Sequence, residues 1–176
     1  LQKEDLRIIE KQRWINQGGI LFPIPGYASL MSTPGNGVFR IYKEPNTGRL
    51  GLEKIDETFA FSFKIYDLEC EDVMKRIITT WTSELFVKNN KNLGVIFNGI
   101  KGTGKTIAAK LLCNKIGLPV IVISKPMDGM LEFIQSLCFE AIILIDEAEK
   151  TFDEEEDVLL KMIDGVYNSC LLYTSD

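Results

Sequence analysis

Residues 99–106 carry the strongest chemical signal in this sequence: Gly99-Ile100-Lys101-Gly102-Thr103-Gly104-Lys105-Thr106 spells G-x-x-x-x-G-K-T. This is the pattern of a phosphate cradle. Glycines at these spacings let the backbone turn tightly enough for successive N–H groups to converge on one anion, and a helix beginning at the end of the loop adds its positive N-terminal dipole. In such a loop the stretch from Gly99 to Thr106 holds phosphates, the Lys105 ammonium sits over the β- and γ-phosphates, and the Thr106 hydroxyl ligates magnesium. The opposing interpretation is a glycine-rich turn with a solvated lysine. It is disfavoured because the loop follows an apolar strand-like run, Leu93–Phe97, and precedes a helix-like one.

About forty residues on, the apolar run Ala141–Ile145 ends in Asp146-Glu147. A continuous apolar run of strand length implies a strand covered on both faces. In nucleotide hydrolases with this loop, the first acid, here Asp146, holds the magnesium beside the Thr106 hydroxyl. The second, Glu147, is the base that orients and deprotonates the attacking water, a role worth about 10²–10⁴-fold. Two acids after a strand could also be plain helix-start residues, since carboxylates favour a first turn. Their pairing with the glycine-rich loop is what selects the catalytic interpretation, with Lys105 and Glu147 as the catalytic pair.

Composition limits the alternatives. The 176-residue chain is 45% hydrophobic, enough for one domain with a real core plus a small appendage. No apolar run approaches a membrane span, and the charged N-terminus lacks the core of a secretion signal, so a soluble cytoplasmic protein is expected. The four cysteines, Cys70, Cys113, Cys138 and Cys170, are scattered and suit buried reduced thiols. The absence of histidine removes Ser-His and Cys-His catalysis and most zinc sites. A net charge of −5 argues against a broad surface for coating nucleic acid, while leaving room for a local basic channel.

The elements that must position the loop are legible in order. Residues 4–17 suit a short amphipathic helix or a partner-binding arm, and residues 18–37, rich in Gly and Pro, suit an irregular loop. Val38–Lys43 and residues 49–55 flank the turn cluster Glu44-Pro45-Asn46-Thr47-Gly48, and a third strand is expected over residues 59–66, with Phe59, Phe61, Phe63 and Ile65 packing on one side. Glu71-Asp72 start a helix whose apolar stripe is Val73, Ile77, Trp81 and Leu85, widened by Met74 and Ile78. Ile107, Ala108, Leu111 and Leu112 form the buried side of the next helix, stopped by Gly117 and Pro119. A strand over 119–124, a short helix over 130–137 and the acidic strand follow. Alternating strands and helices predict a parallel sheet with the nucleotide at the carboxyl ends of its strands.

With residues 99–106, residues 142–147 and their spacing in view, the chain resembles the AAA+ ATPases over about residues 67–168. Leu159-Leu160-Lys161-Met162-Ile163-Asp164-Gly165 is similar to the L-L-x-x-x-D-G of the classical AAA branch. The resemblance implies ATP rather than GTP, Mg²⁺ as the metal, and assembly into a ring, usually a hexamer. A neighbour's arginine can then add about 10³–10⁵ in rate. The output is remodelling of a protein or nucleic-acid client. The implied fold is a three-layer α/β/α P-loop NTPase with strand order 5-1-4-3-2, here incomplete, preceded by a small β-rich section over residues 1–66. The core occupies 67–169 and stops around its fourth strand, before any arginine finger, lid or sensor residue, so this piece alone is not expected to be fully active.

Threading relatives place an aromatic in the loop after the second strand. Here that loop reads Ser124-Lys125-Pro126-Met127-Asp128-Gly129-Met130, leaving Met127 and Met130 as soft contacts. Residues 170–176 resemble a translated sequencing adapter and are read as non-native, although an apolar β-prone stretch of either origin would fit the fourth-strand position. Two rivals remain beside an ATP-hydrolysing machine: a nucleotide-gated binding module with incidental hydrolysis, and a P-loop small-molecule kinase. The acidic run 153–157 is read as a solvated helix start rather than a site for a basic partner.

Overall fold

The computed structural model describes residues 13–17, 20–24, 33–62, 70–89, 93–146, 148 and 169–174. The chain divides into two units, Leu1–Pro34 and Gly35–Asp176. In the first, β1 (Arg13–Gln17) and β2 (Ile20–Ile24) pair antiparallel, with Gln17 opposite Ile20. The helix or arm expected through residue 17 and the irregular loop expected from residue 18 are therefore corrected where the structure describes them. Trp14-Ile15 and Ile20-Leu21-Phe22 are β-prone, and Gly18-Gly19 between them permits a two-residue hairpin connection. Pro23 is tolerated because a two-stranded ribbon leaves one side of every strand unpaired.

The second unit is built on a six-stranded sheet of order β4-β3-β6-β7-β8-β5. Its strands are β3 (Val38–Lys43), β4 (Leu50–Asp56), β5 (Leu93–Phe97), β6 (Val120–Ile123), β7 (Ala141–Ile145) and β8 (Ser169–Thr174). All neighbours are parallel except the β3–β4 hairpin. The run β6-β7-β8-β5 is the 2-3-4-1 portion of the order implied by the resemblance. Strand β8 pairs with β7 on one side and with β5 on the other, so the strand that leads into the phosphate loop is hydrogen-bonded in the sheet. The hairpin expected in a separate β section is joined to the same sheet. Val38, Phe39 and Arg40 pair with Val120, Ile121 and Val122, and the Val120 N–H donates to the Gly37 carbonyl at 2.9 Å.

Helices α1 (Glu71–Trp81) and α3 (Lys105–Ile116) cover one face of the sheet, and α4 (Met130–Gln135) covers the other; α2 (Glu84–Asn89) follows α1. Strand β7 explains the division. All five of its residues are buried: Ile142 and Leu144 pack with Met74, Ala109 and Leu112, while Ala141, Ile143 and Ile145 pack with Met130 and Ile134. An apolar strand with no polar face can only sit in the middle of three layers. Among the described residues no helix is long and apolar enough to cross a membrane.

Two expectations change. The stripe of α1 is Met74, Ile77, Ile78 and Trp81, the i, i+3, i+4, i+7 set, whereas Val73 and Leu85 are 44% and 76% exposed. The helix stops at Trp81, where the Thr82 hydroxyl donates to the Ile78 carbonyl and the Ser83 hydroxyl donates to the Thr80 carbonyl, so Leu85 falls on a new helix with a new facing. The third strand is absent over residues 59–62; residues 63–66 lie outside the described residues. Phe59 is instead clamped to α3. Its N–H donates to Asn114 Oδ1 at 3.1 Å, Asn114 Nδ2 donates to its carbonyl at 2.9 Å, and Lys110 Nζ lies 5.5 Å from its ring centre. That pairing occupies the backbone groups a strand would have used.

Ile143→Ala should lower the unfolding free energy by about 2–5 kcal/mol, because its side chain is fully buried. Ile96→Ala, on a strand position 58% exposed, should change it by about 0.5 kcal/mol or less. Urea unfolding of the two variants beside the parent checks the assignment of faces.

Candidate functional site

The glycine-rich loop occupies the gap between β5 and α3. Gly102 and Gly104 sit at φ of 84° and 88°, a region that side chains with a Cβ rarely adopt. Gly104 is also the residue that caps α3, and the first helical bond runs from the Ala108 N–H to the Gly104 carbonyl at 2.9 Å. The amides of the first turn therefore precede the intrahelical ladder and carry the positive end of the helix dipole. Ahead of them, the Thr103 N–H and hydroxyl both donate to the Ile100 carbonyl, at 3.3 and 2.8 Å, and close a tight turn around Lys101 and Gly102.

The Lys105 side chain reaches back across this turn. Its Nζ donates to the carbonyls of Gly99 at 2.6 Å and Ile100 at 3.2 Å, so the ammonium is held at the mouth of the loop rather than extended into solvent. Ile100 and Lys101 are exposed at the rim. Of residues 99–106, the sequence-predicted phosphate ligands, all eight lie on this one turn and the helix start it feeds.

Asp146 follows the last residue of β7, and its Oδ1 accepts a hydrogen bond from Thr106 Oγ1 at 2.9 Å. Forty residues of sequence separate the two groups. They meet because β7 lies in mid-sheet and α3 packs over it through Leu112, Ala109 and Leu144, which aims the start of the helix at the carboxyl end of the strand. A threonine hydroxyl has one proton and two lone pairs, so donating to Asp146 still leaves it able to ligate a cation. A hydroxyl and a carboxylate at hydrogen-bond distance form an all-oxygen pair suited to Mg²⁺, which takes one or two protein ligands and completes its shell with water and substrate phosphates. The residues present fit that ion. Among the described residues no cluster of three or more His, Cys, Asp or Glu builds an all-protein cage.

Glu147, the predicted base, lies outside the described residues. Its neighbours bound its place: Ile145 and Ala148 are buried in the α4-side core. In the loop after β6, Met130 is 1% exposed and Met127 is packed against the same core. The expectation that Met130 serves as a soft surface contact is thus corrected: as the first residue of α4 it fills the core beneath that helix.

Gly102→Ala should destabilise the fold by about 1–2 kcal/mol, the cost of a left-handed backbone carrying a Cβ. The added methyl would meet no atom within 4 Å, so the backbone alone is responsible. Thermal unfolding compared with a Lys101→Ala control, at an exposed position on the same turn, isolates that effect.

The family model described as "ATPase family associated with various cellular activities (AAA)" matches residues 95–175, from within β5 through the glycine-rich loop, β7 and β8. No curated protein matches the chain.

Proposed function

From the premise that residues 95–175 form an AAA-family ATPase domain of the P-loop class, we propose that the protein binds ATP with Mg²⁺ and hydrolyses it, coupling the energy to remodelling of a protein or nucleic-acid complex. The observation that carries the reading is the 2.9 Å contact between the Thr106 hydroxyl and the Asp146 carboxylate at the mouth of the glycine-rich loop. Loop amides and the Lys105 ammonium hold the triphosphate, and Thr106 and Asp146 hold the metal. When bound, Mg²⁺ neutralises charge on the β- and γ-phosphate oxygens. Glu147 takes a proton from the water that attacks the γ-phosphorus, and ADP leaves. The same loop in a metabolite kinase would deliver the phosphoryl group to an organic acceptor, so the product separates the two.

AAA domains in general act as oligomeric rings, and we place this chain in such an assembly, usually a hexamer, with a neighbour completing each site. The client is identified only as a protein or nucleic-acid complex.

Lys105→Ala should weaken ATP binding by roughly 10²-fold or more, since two charge-assisted contacts to phosphate disappear together. Glu147→Gln should leave binding within a few-fold of the parent and lower turnover of the assembled protein by roughly 10²–10⁴-fold. Titration with a fluorescent ATP analogue and release of inorganic phosphate read the two effects separately. Normal turnover by the Gln variant would refute the base assignment, and phosphate transferred to an organic acceptor would refute hydrolysis.

A further inference from the structure

We propose that a cationic cleft at the carboxyl ends of β3 and β6 binds single-stranded nucleic acid, with Tyr42 stacking on a base and Lys125, Lys43 and Arg40 meeting phosphates.

The cleft arises from unequal strands. Pairing between β3 and β6 ends at Arg40 and Val122; β3 then runs on to Lys43, while β6 stops at Ile123 and turns through Ser124 and Lys125 toward α4. The two chains part and leave a cavity of about 260 Å³ between them. In an open α/β sheet, the carboxyl side where neighbouring connections diverge is where ligands bind.

The lining has a definite chemistry. Its ionisable cations are Arg40, Lys43 and Lys125, no carboxylate lines it, and its floor is apolar. That is unexpected in a chain of net charge −5. Lys43 meets Asp128 at 3.8 Å, and the Asp128 side chain is fully exposed, a pair that solvent screens and a polyanion can displace. Arg40 is held by Glu53 at 2.6 Å on the solvent side, which fixes the guanidinium beside the strand. Among the described residues Lys125 has no carboxylate partner.

Tyr42 decides between anionic ligands. It is a large ring left 46% exposed in the same lining, two residues along the strand from Arg40 and so on the same face, about 7 Å away. A ring face and a cation at that interval suit alternating bases and phosphates, the arrangement by which single strands are bound without sequence preference. An acidic peptide would use the cations and leave the ring without a role.

The test uses the full chain and a fluorescein-labelled oligo-deoxythymidylate, followed by fluorescence anisotropy at several salt concentrations. Wild-type protein should bind with an affinity that falls as salt rises. Tyr42→Ala should weaken binding roughly fivefold or more. Lys125→Glu should weaken it and flatten the salt dependence, with Lys125→Ala as a milder variant that repeats the effect without reversing charge. Lys75→Glu, on the exposed side of α1, should bind like the parent. A fluorescent ATP analogue in the same samples should bind the cleft variants as it binds the parent. Lys105→Ala should keep the oligonucleotide while losing the nucleotide, so failure of the cleft and failure of the ATP site are told apart. The proposal is overturned if wild-type protein does not bind the oligonucleotide at low salt, if the Tyr42 and Lys125 variants bind it unchanged, or if a poly-glutamate peptide competes for it equally well.

Discussion

The hydrogen bond from the Thr106 hydroxyl to the Asp146 carboxylate is the constraint on which the rest of the site depends. It joins the first turn of α3 to the end of β7, and neither element could place it alone. The helix start is set by the left-handed backbone at Gly102 and Gly104, which brings the chain round tightly enough for Lys105 to fold back over the carbonyls of Gly99 and Ile100. The strand end is set by burial. An all-apolar β7 has no face to offer solvent, so it occupies mid-sheet and delivers Asp146 to the one edge where a carboxylate is half-exposed.

Packing makes that geometry stiff. Alternate residues of β7 belong to different cores, Ile142 and Leu144 with α1 and α3, Ile143 and Ile145 with α4, so a slip of one residue would exchange the two sets and misplace the acid. Strand β8 adds a hydrogen-bonded neighbour between β7 and β5, which fixes the strand before the loop relative to the strand before the acid. The Asn114 clamp on Phe59 extends the same framework beyond the sheet, tying the segment after β4 to the helix that begins at the phosphate loop. Any movement of α3 that follows a change at Lys105 is felt at Phe59.

The hairpin changes what the sheet can present. By pairing β3 with β6, it widens the sheet beyond the strands that build the ATP site and sets Tyr42, Lys43 and Arg40 beside the loop that leaves β6. The carboxyl edge then carries two chemically different places: a glycine-rich loop beside an acid at one end, and a cationic cleft with an exposed ring at the other. Their separation on one rigid sheet is a plausible physical basis for linking nucleotide state to a client.

The phosphate loop, the helix after it, the acidic strand and the turn of the β3–β4 hairpin were determined by the sequence itself, because each is written in a short window: glycines at fixed intervals, five apolar residues followed by acids, a Pro-Asn-Thr-Gly turn. The same local reading misjudged the first hairpin, where charged residues masked a Gly-Gly connection, and expected a strand at Phe59, where alternation of aromatics looked the same whether the backbone paired with a strand or with Asn114. Met130 illustrates the limit well, since nothing local distinguishes a methionine on a loop tip from one buried beneath a helix. Tertiary structure alone decided that Thr106 and Asp146 touch, that β3 lies against β6, and that Tyr42 stands open beside Lys125. Those facts depend on which elements close over long stretches of chain and on what each then covers, and neither spacing nor propensity within a window contains that information.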